Sequence, residues 1–501
     1  MPTIGGLVLQ NGLRVPAREA MVAGKDRLTW EEVSLRARQL ATVLSKQGVE
    51  HGDRVAIVAT NSGPYILAEY ATLLLGAIVV PVNAKLTAPE IAVILEDCEP
   101  VLVLTDDTTS APVAAARNET TRDCVVLALA LDDAIASAHQ TDPIDGDRAT
   151  ESDDAFITYT SGTTGRPKGV LADHHRALWA GLAQMASIGL RDGDRYLHLS
   201  PLYHSGGVVF TTVVTLLGGT HVLAGAFAPG PVLELIETEG ITAFLGVPTM
   251  YQQLLRHPDF DDRDLGSLRV ATFGAAAMPG ETVEELLARL PAIDLYQLCG
   301  QTEAGPTGLF STTAQVRERP DSTGHQSQPF LAHRLVALDG GPVGEGEVGE
   351  VLFQGEAVMK GYWRAPEATA ETLTDGWLHT GDLFRRDPDG TLVLVDRRKD
   401  VIITGGQNVY SAEVERVVLT HPAVLDCAVI GRPHDEYGET IVAVAQLAAG
   451  TYLDLEELRA HCASSLARFK IPRELTVVDT VPRNAGGKLQ KHRLRTCLEA
   501  D

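Results

Sequence analysis

Between residues 29 and 105 the chain alternates two hydrophobic patterns, and this alternation restricts the fold more than any single motif does. "TWEEVSLRARQLATVLSKQGV" carries apolar residues at helical spacing and opens with Thr29 and Glu32, three apart, as a capping box requires. "GDRVAIVAT" then reads as a buried strand, "PYILAEYATLLLGAIVV" as a helix running into a strand, and "PVLVLTD" as a further strand. Strands that are apolar on both faces need cover on both faces. Helical connections between them supply it, so the pattern predicts a mostly parallel sheet under helices. The rhythm returns from about 183 to 300, with strands predicted at "RYLHLS", "THVLA", "TAFLGV" and "VATFGA".

Between about 330 and 395 the texture changes. "HRLVALDGGPVGEGEVGEVLFQGEAVMKGYW" has short alternating runs split by Gly-rich turns, which predicts a small antiparallel barrel or sheet. After the charged "DRRKD" a new α/β segment begins with "VYSAEVERVVLTHPAV", "DCAVIGRP", "IVAVAQL", "DLEELRAHCASSL" and "ELTVVD". The fold class expected is therefore α/β. A large N-terminal domain over 1–395 holds mostly parallel sheets and a β-barrel-like subdomain, and a small α+β domain covers 396–501.

The formal charge is −24, from 66 acidic and 42 basic side chains, and such a field repels nucleic acid and anionic membranes at long range. The six cysteines form no CxxC pair and have no His at ligand spacing, which fits a reducing cytoplasm better than a disulfide framework or a zinc site. No signal peptide is read in "MPTIGGLVLQNGLRVPAREA", and cytoplasmic localisation is expected. The most apolar long stretch, "GGVVFTTVVTLLGGTHVLAGAF", is broken by Gly pairs and His221 and reads as buried helix and strand, not as a membrane span.

One stretch carries chemistry on its face. In "YTSGTTGRPKGV" (159–170), Gly162, Gly165 and Gly169 let backbone amides close on anionic oxygens. Ser161, Thr163 and Thr164 add hydroxyl donors, and Lys168 adds a positive charge on a flexible stem. A solvated turn would not need hydroxyls and a lysine packed around three glycines, so the stretch reads as a phosphate loop. A P-loop has Ser or Thr after its lysine, and here Gly169 follows Lys168. The GxGxxG of a dinucleotide-binding fold is missing too.

The stretch resembles the phosphate-loop signature of the adenylate-forming superfamily, which includes acyl-CoA synthetases, peptide-synthetase adenylation domains and luciferases. The resemblance continues in order through "PLYHSGG" (201–207), "GVPTMYQQLL" (246–255), "FGAAAMP" (273–279), "GQTEAG" (300–305), "GYW" (361–363), "GWLHTGDL" (376–383), "DRRKDVIITGGQNVYSAEVE" (396–415) and "PRNAGGKLQK" (482–491). It covers the chain from about 28 to 495 and favours the branch of fatty-acid and aryl-acid CoA ligases.

What the resemblance implies is a two-step ligase. A carboxylic acid attacks the α-phosphorus of ATP to give acyl-adenylate and pyrophosphate; a thiol then takes the acyl group and AMP leaves. No covalent enzyme nucleophile is needed, so catalysis consists of positioning and charge neutralisation. By place in the family's motifs, Thr160, Ser161, Gly162, Thr163, Thr164, Gly165 and Lys168 would surround the phosphates. Thr163 and Glu303 would hold Mg²⁺, a hard cation that takes carboxylate oxygen. Gly274, Ala275, Ala276, Cys299, Gly300, Gln301 and Thr302 would line the nucleotide, with Thr302 near the α-phosphate. Asp382 would accept hydrogen bonds from the ribose hydroxyls, and Arg397 would meet ribose or phosphate. Lys488 would bridge carboxylate and phosphate during adenylation. His204 would stand near the acyl carboxylate and gate thiol entry. The small domain would rotate between half-reactions about Lys399 and Asp400, a mobile C-terminal domain, bringing Gly405 and Gly406 of "TGGQN" toward CoA with Lys470 at a CoA phosphate.

Outside their motifs these residues read more plainly: Glu303 as surface, Asp382 as a turn, Lys488 as a basic tail, Arg398 and Lys470 as solvated charge. Cys299 departs from the pattern, because an aromatic commonly stacks on adenine there; Tyr296 lies three residues away. "GAAA" at 274–277 is less glycine-rich than the usual version.

Walls for the acid are expected near 204–210, 246–251, 273–279 and 298–303, including Val208, Val209, Phe210, Met250 and Ala275 to Met278. No Asp follows "HSGG" to hold an ammonium, and an unpaired buried charge is costly, so a medium-chain aliphatic or aryl acid is expected over an amino acid. ATP, Mg²⁺ and CoA as co-substrate complete the set. The alternative acceptor is the phosphopantetheine arm of an acyl carrier protein. A non-catalytic nucleotide-binding protein is a remote alternative, against which Glu303 and Lys488 together stand. A monomer or a homodimer fits equally.

Overall fold

A computed structural model of the chain describes residues 2–120, 127–160, 166–274, 276–320, 322–324, 326–483 and 489–499. The chain forms two compact units. One takes Met1–Gly162, Arg166–Arg334 and Leu352–Thr380; the other takes Leu335–Val351 and Gly381–Asp501.

In the first unit the predicted alternation becomes two large sheets. The seven-stranded sheet runs Gly361–Tyr362, Lys168–Asp173, Asp154–Thr160, Ile78–Val82, Arg54–Val58, Leu102–Thr105, Leu127–Ala130 in spatial order. Its strands from Asp154–Thr160 onward pair in parallel, and Lys168–Asp173 is antiparallel to both its neighbours. In the nine-stranded sheet, Arg195–His198, Thr220–Leu223, Ala243–Gly246 and Val270–Gly274 form the parallel centre at the places the sequence predicts, and Asp294–Gly300 adds a fifth parallel strand that the sequence reading does not include. Every residue of Ile78–Val82 is buried, as a strand covered on both faces requires.

The helices follow equally local rules. Thr29 caps Trp30–Lys46: its N–H donates to Glu32 Oε2 at 2.8 Å, and the Glu32 N–H donates back to Thr29 Oγ1 at 3.3 Å. Gly63–Leu74 is apolar almost all round and is buried at every position but Pro64, so it works as a central helix between layers. The long apolar stretch resolves into the helix Ser205–Leu217 and the strand Thr220–Leu223. Among the described residues no helix is long and apolar enough to cross a membrane.

That central helix carries a carboxyl. Glu69 is 1% exposed, its Oε1 has no partner among the described residues, and burial pushes its pKa up to about 8 from an ordinary 4.5. From about pH 4.5 to 8 the unfolded chain therefore binds fewer protons than the folded one. Stability falls through that window by up to about 1.4 kcal/mol per pH unit and levels off above it. Glu69→Gln is expected to flatten this slope and raise the thermal midpoint above pH 7. Midpoints recorded from pH 5 to 9 check this, and parallel profiles for the two proteins would refute it.

Within residues 331–397 a small antiparallel sheet forms, with Trp377–Arg386 paired to both Leu373–Thr374 and Leu392–Arg397, but Gly361–Tyr362 leaves it for the seven-stranded sheet and Pro366–Thr372 is helical. In the second unit the strands Val424–His434 and Gly438–Leu447 pair antiparallel along their length, and Glu474–Val477 adds in parallel. Ser411–Val418 and Leu455–Ala463 pack Val414, Val418 and Leu458 onto that sheet with Val429 and Ile441. The whole is a mixed α/β protein of large, mostly parallel sheets with a smaller α+β part, as expected.

Candidate active site

The glycine-rich stretch joins two antiparallel strands. Thr160 ends Asp154–Thr160 and is the register partner of Lys168, which opens the return strand. Ser161, Gly162, Thr163, Thr164 and Gly165 lie outside the described residues. Gly169, read from sequence with Gly162 and Gly165 as letting the backbone close on anionic oxygens, is packed into the hairpin. A Cβ there would fall 2.6 Å from Ile157 Cγ2, and its carbonyl accepts from the Trp363 N–H at 2.7 Å. Strand packing accounts for this glycine. The Lys168 ammonium stands 4.9 Å from the centre of the Tyr362 ring, a cation–π distance.

Glu303 lies in the short 3-10 turn Thr302–Ala304, which follows the strand Asp294–Gly300. Its backbone carbonyl accepts from the Met359 N–H at 2.9 Å, and its Oε1 accepts from the Tyr362 hydroxyl at 3.1 Å. The Thr302 hydroxyl donates to Ser205 Oγ at 3.1 Å, so the turn meets the first residue of the helix Ser205–Leu217. His204 caps that helix. It is exposed, and its Nδ1 accepts from the Gly206 N–H at 3.3 Å, which leaves Nδ1 without a proton in this arrangement.

Behind these residues lies a narrow cavity of about 40 Å³ lined mainly by apolar atoms. Ser205, Val208 and Val209 come from the helix, Thr302 and Pro306 from the turn, and Phe156 from the hairpin. Of the walls expected at 204–210 and 298–303, Ser205, Val208, Val209 and Thr302 line this cavity; no residue of 246–251 or 273–279 does among the described residues. Phe210 is not among the lining residues: its ring stacks on Tyr196 at 4.7 Å, in the core cluster to which Val209 also belongs. Arg176, also at the wall, is already committed, with Nη1 on Asp173 Oδ2 at 2.5 Å and Nε on the Val358 carbonyl at 2.9 Å.

The expected nucleotide residues occupy neighbouring strand ends. Gly274 closes Val270–Gly274 and is the partner of Leu298; Cys299 and Gly300 close the adjacent strand. Cys299 is half-buried and pairs with Leu309. The Gln301 side-chain Nε2 is buried without a partner among the described residues, a donor ready for a polar ligand. Ala276 is exposed, and Ala275 lies outside the described residues.

The second unit holds the remainder. Asp382 and Arg397 are cross-strand partners joined by an ion pair of 3.2 Å. Arg398, read from sequence as solvated, pairs with the buried Glu350 at 3.0 Å. Lys399 and Asp400 sit in a 3-10 turn, where Asp400 is buried and accepts from Arg495 at 2.9 Å. Gly405 and Gly406, at φ 58° and 75°, form the two-residue loop of a tight hairpin, a conformation that glycine adopts without strain. Lys470 is not a free surface charge: Glu413 holds it with both carboxylate oxygens at 2.7 Å. Lys488 lies outside the described residues.

Among the described residues no three His, Cys, Asp or Glu side chains gather as a metal cage. A single positioned carboxylate such as Glu303 suits magnesium, which binds through one or two carboxylates with substrate phosphates and keeps several waters. Sequence reasoning missed Ser205 and Tyr362, although both lie inside motifs it singled out.

The profile described as "AMP-binding enzyme" matches residues 9–363, and that described as "AMP-binding enzyme C-terminal domain" matches 413–488. A feruloyl-CoA synthase of Amycolatopsis sp is 38% identical over 98% of both chains. The fatty acid–[acyl-carrier-protein] ligase ScoC of Streptomyces coeruleorubidus is 34% identical over 96% of this chain and 93% of its own. Of solved structures, the o-succinylbenzoate CoA synthetase of Bacillus subtilis in complex with its acyl-adenylate intermediate superposes with a TM-score of 0.88 at 29% identity, over 99% of this chain and 98% of that one.

Proposed function

Because the chain belongs to the AMP-binding enzyme family, within the adenylate-forming superfamily, we propose that it activates a medium-chain aliphatic or aryl monocarboxylic acid with ATP and passes the acyl group to CoA. The chain is an acid–thiol ligase of the AMP-forming kind, with ATP and Mg²⁺ for the first step and CoA as co-substrate for the second. The observation that supports an uncharged acyl group is the lining of the small cavity behind Thr302 and Ser205, which bears on the polarity of the acid and not on its length. That lining is apolar, and its nearest cation, Arg176, is spent on Asp173. A second carboxylate would find no free partner there, whereas an uncharged chain or ring loses nothing by burial. The 38% identical feruloyl-CoA synthase supports the aryl arm.

In the first step a carboxylate oxygen attacks the α-phosphorus and pyrophosphate leaves. Lys168 and the loop before it hold the phosphates, Thr302 orients the α-phosphate, and Lys488 bridges carboxylate and phosphate. Glu303 and Thr163 would hold magnesium, which when bound would supply charge neutralisation on the polyphosphate. Asp382 and Arg397 take the ribose. In the second step the CoA sulfur attacks the acyl carbon and AMP departs, with His204 at the thiol entrance. The domain 396–501 turns about Lys399 and Asp400 between the steps to bring Gly405, Gly406 and Lys470 toward CoA. The enzyme works in the cytoplasm.

Transfer to a carrier-protein arm is the second reading, favoured by the 34% identical acyl-carrier-protein ligase. AMP release from ATP and Mg²⁺ with a panel of short, medium and long aliphatic, aryl and dicarboxylic acids, each with and without CoA, separates the two. CoA-dependent AMP together with acyl-CoA is the expected result. Adenylate trapped by hydroxylamine with no CoA-dependent turnover would favour the carrier protein. Selective turnover of dicarboxylic acids would overturn the monocarboxylate reading.

A further inference from the structure

Tyr362 has no part in the reaction as written, yet it touches two groups that do. Its hydroxyl donates to Glu303 Oε1 at 3.1 Å, and its ring lies 4.9 Å from the Lys168 ammonium. The carboxylate can only accept, so the direction of that hydrogen bond is fixed. Tyr362 itself is pinned. Met359 N–H donates to the Glu303 carbonyl (2.9 Å), Lys360 N–H to the Leu171 carbonyl (2.9 Å) and Trp363 N–H to the Gly169 carbonyl (2.7 Å), while Gly361 and Tyr362 pair with Leu171 and Val170. Residues 359–363 thus strap the strand that begins at Lys168 to the turn that carries Glu303, and Tyr362 is the side chain at the crossing.

We infer that Tyr362 is a positioning residue: its hydroxyl sets the rotamer of Glu303 so that the carboxylate faces the cation, and its ring holds Lys168 toward the phosphates. Outer partners of metal-binding groups typically account for about 10- to 100-fold in metal affinity. A cation–π contact adds to a lysine's placement without neutralising its charge. The inference rests on the magnesium role proposed for Glu303, and the two are separable.

The test uses the full chain with ATP, and Mn²⁺ as the probe. The dissociation constant of Mn²⁺ is read by electron paramagnetic resonance, and that of ATP in chelator by calorimetry. Tyr362→Phe is expected to weaken Mn²⁺ binding roughly tenfold while metal-free ATP binding stays within about twofold. Tyr362→Leu, which also removes the ring, should weaken metal-free ATP binding several-fold. In a Glu303→Gln background the effect of Tyr362→Phe on Mn²⁺ should vanish. Unchanged Mn²⁺ affinity in Tyr362→Phe, with Glu303→Gln weakened, overturns the inference and leaves the metal role of Glu303 standing. A Tyr362→Phe loss that persists in the Glu303→Gln background identifies a general packing role and also overturns it. Unchanged Mn²⁺ affinity in Glu303→Gln itself removes the metal assignment, and the inference with it.

Discussion

Lys488→Ala is expected to slow acyl-adenylate formation by about 100- to 1000-fold, while thioester formation from supplied acyl-adenylate stays within a few-fold of the parent rate. The asymmetry follows from where charge builds up. The first step drives a carboxylate onto a polyphosphate, so two anions must be brought together, and a cation bridging them acts most strongly as they meet. The second step begins after pyrophosphate has gone, and the electrophile is then a mixed anhydride without that repulsion. Lys488 follows two glycines in "NAGGKLQK" and lies outside the described residues. Pyrophosphate release in single turnover measures the first step, and CoA-dependent AMP release from synthetic acyl-adenylate measures the second. Equal losses in both would remove the bridging role.

The second large effect is expected at Glu303. Glu303→Gln keeps the shape of the side chain and keeps an oxygen that can accept from the Tyr362 hydroxyl, so the turn Thr302–Ala304 and its contact survive. What disappears is the negative charge. Adenylation measured as ATP–pyrophosphate exchange should fall by about 100-fold at millimolar Mg²⁺ and recover in part as Mg²⁺ is raised, because a hard cation loses its anionic oxygen ligand. A chelator should abolish turnover in the parent enzyme. Full turnover in chelator, or a Glu303→Gln variant with an unaltered Mg²⁺ requirement, would contradict this assignment.

Much of the fold can be read from the sequence for one physical reason. Strands such as Ile78–Val82 are buried on both faces, so they appear as unbroken apolar runs that no surface strand would show. The helix Trp30–Lys46 announces its own start, because its cap is made by residues three apart. The site is legible only where a motif is contiguous. The helix Ser205–Leu217 shows the limit: it is buried nearly all round, so its sequence cannot reveal that Val208 and Val209 line a cavity while Phe210 turns to Tyr196. The bond from Tyr362 to Glu303 joins residues 59 apart in sequence, and the pairing of Lys470 with Glu413 joins residues 57 apart. No local spacing rule reports such contacts, because they are made by the packing of one element on another.

The way the glycine-rich stretch is hung has a consequence for how such enzymes diversify. Thr160 and Lys168 are directly opposed on adjacent strands, which places their backbones only about 5 Å apart. The seven residues between them leave and return at nearly the same point. Inserting or deleting a residue there shifts nothing on either strand, and closing a somewhat longer excursion costs only about 0.6 kcal/mol per doubling of length. The register of Thr160 with Lys168 therefore puts little constraint on the length of the chain between them, which leaves that length to be set by what the loop must hold.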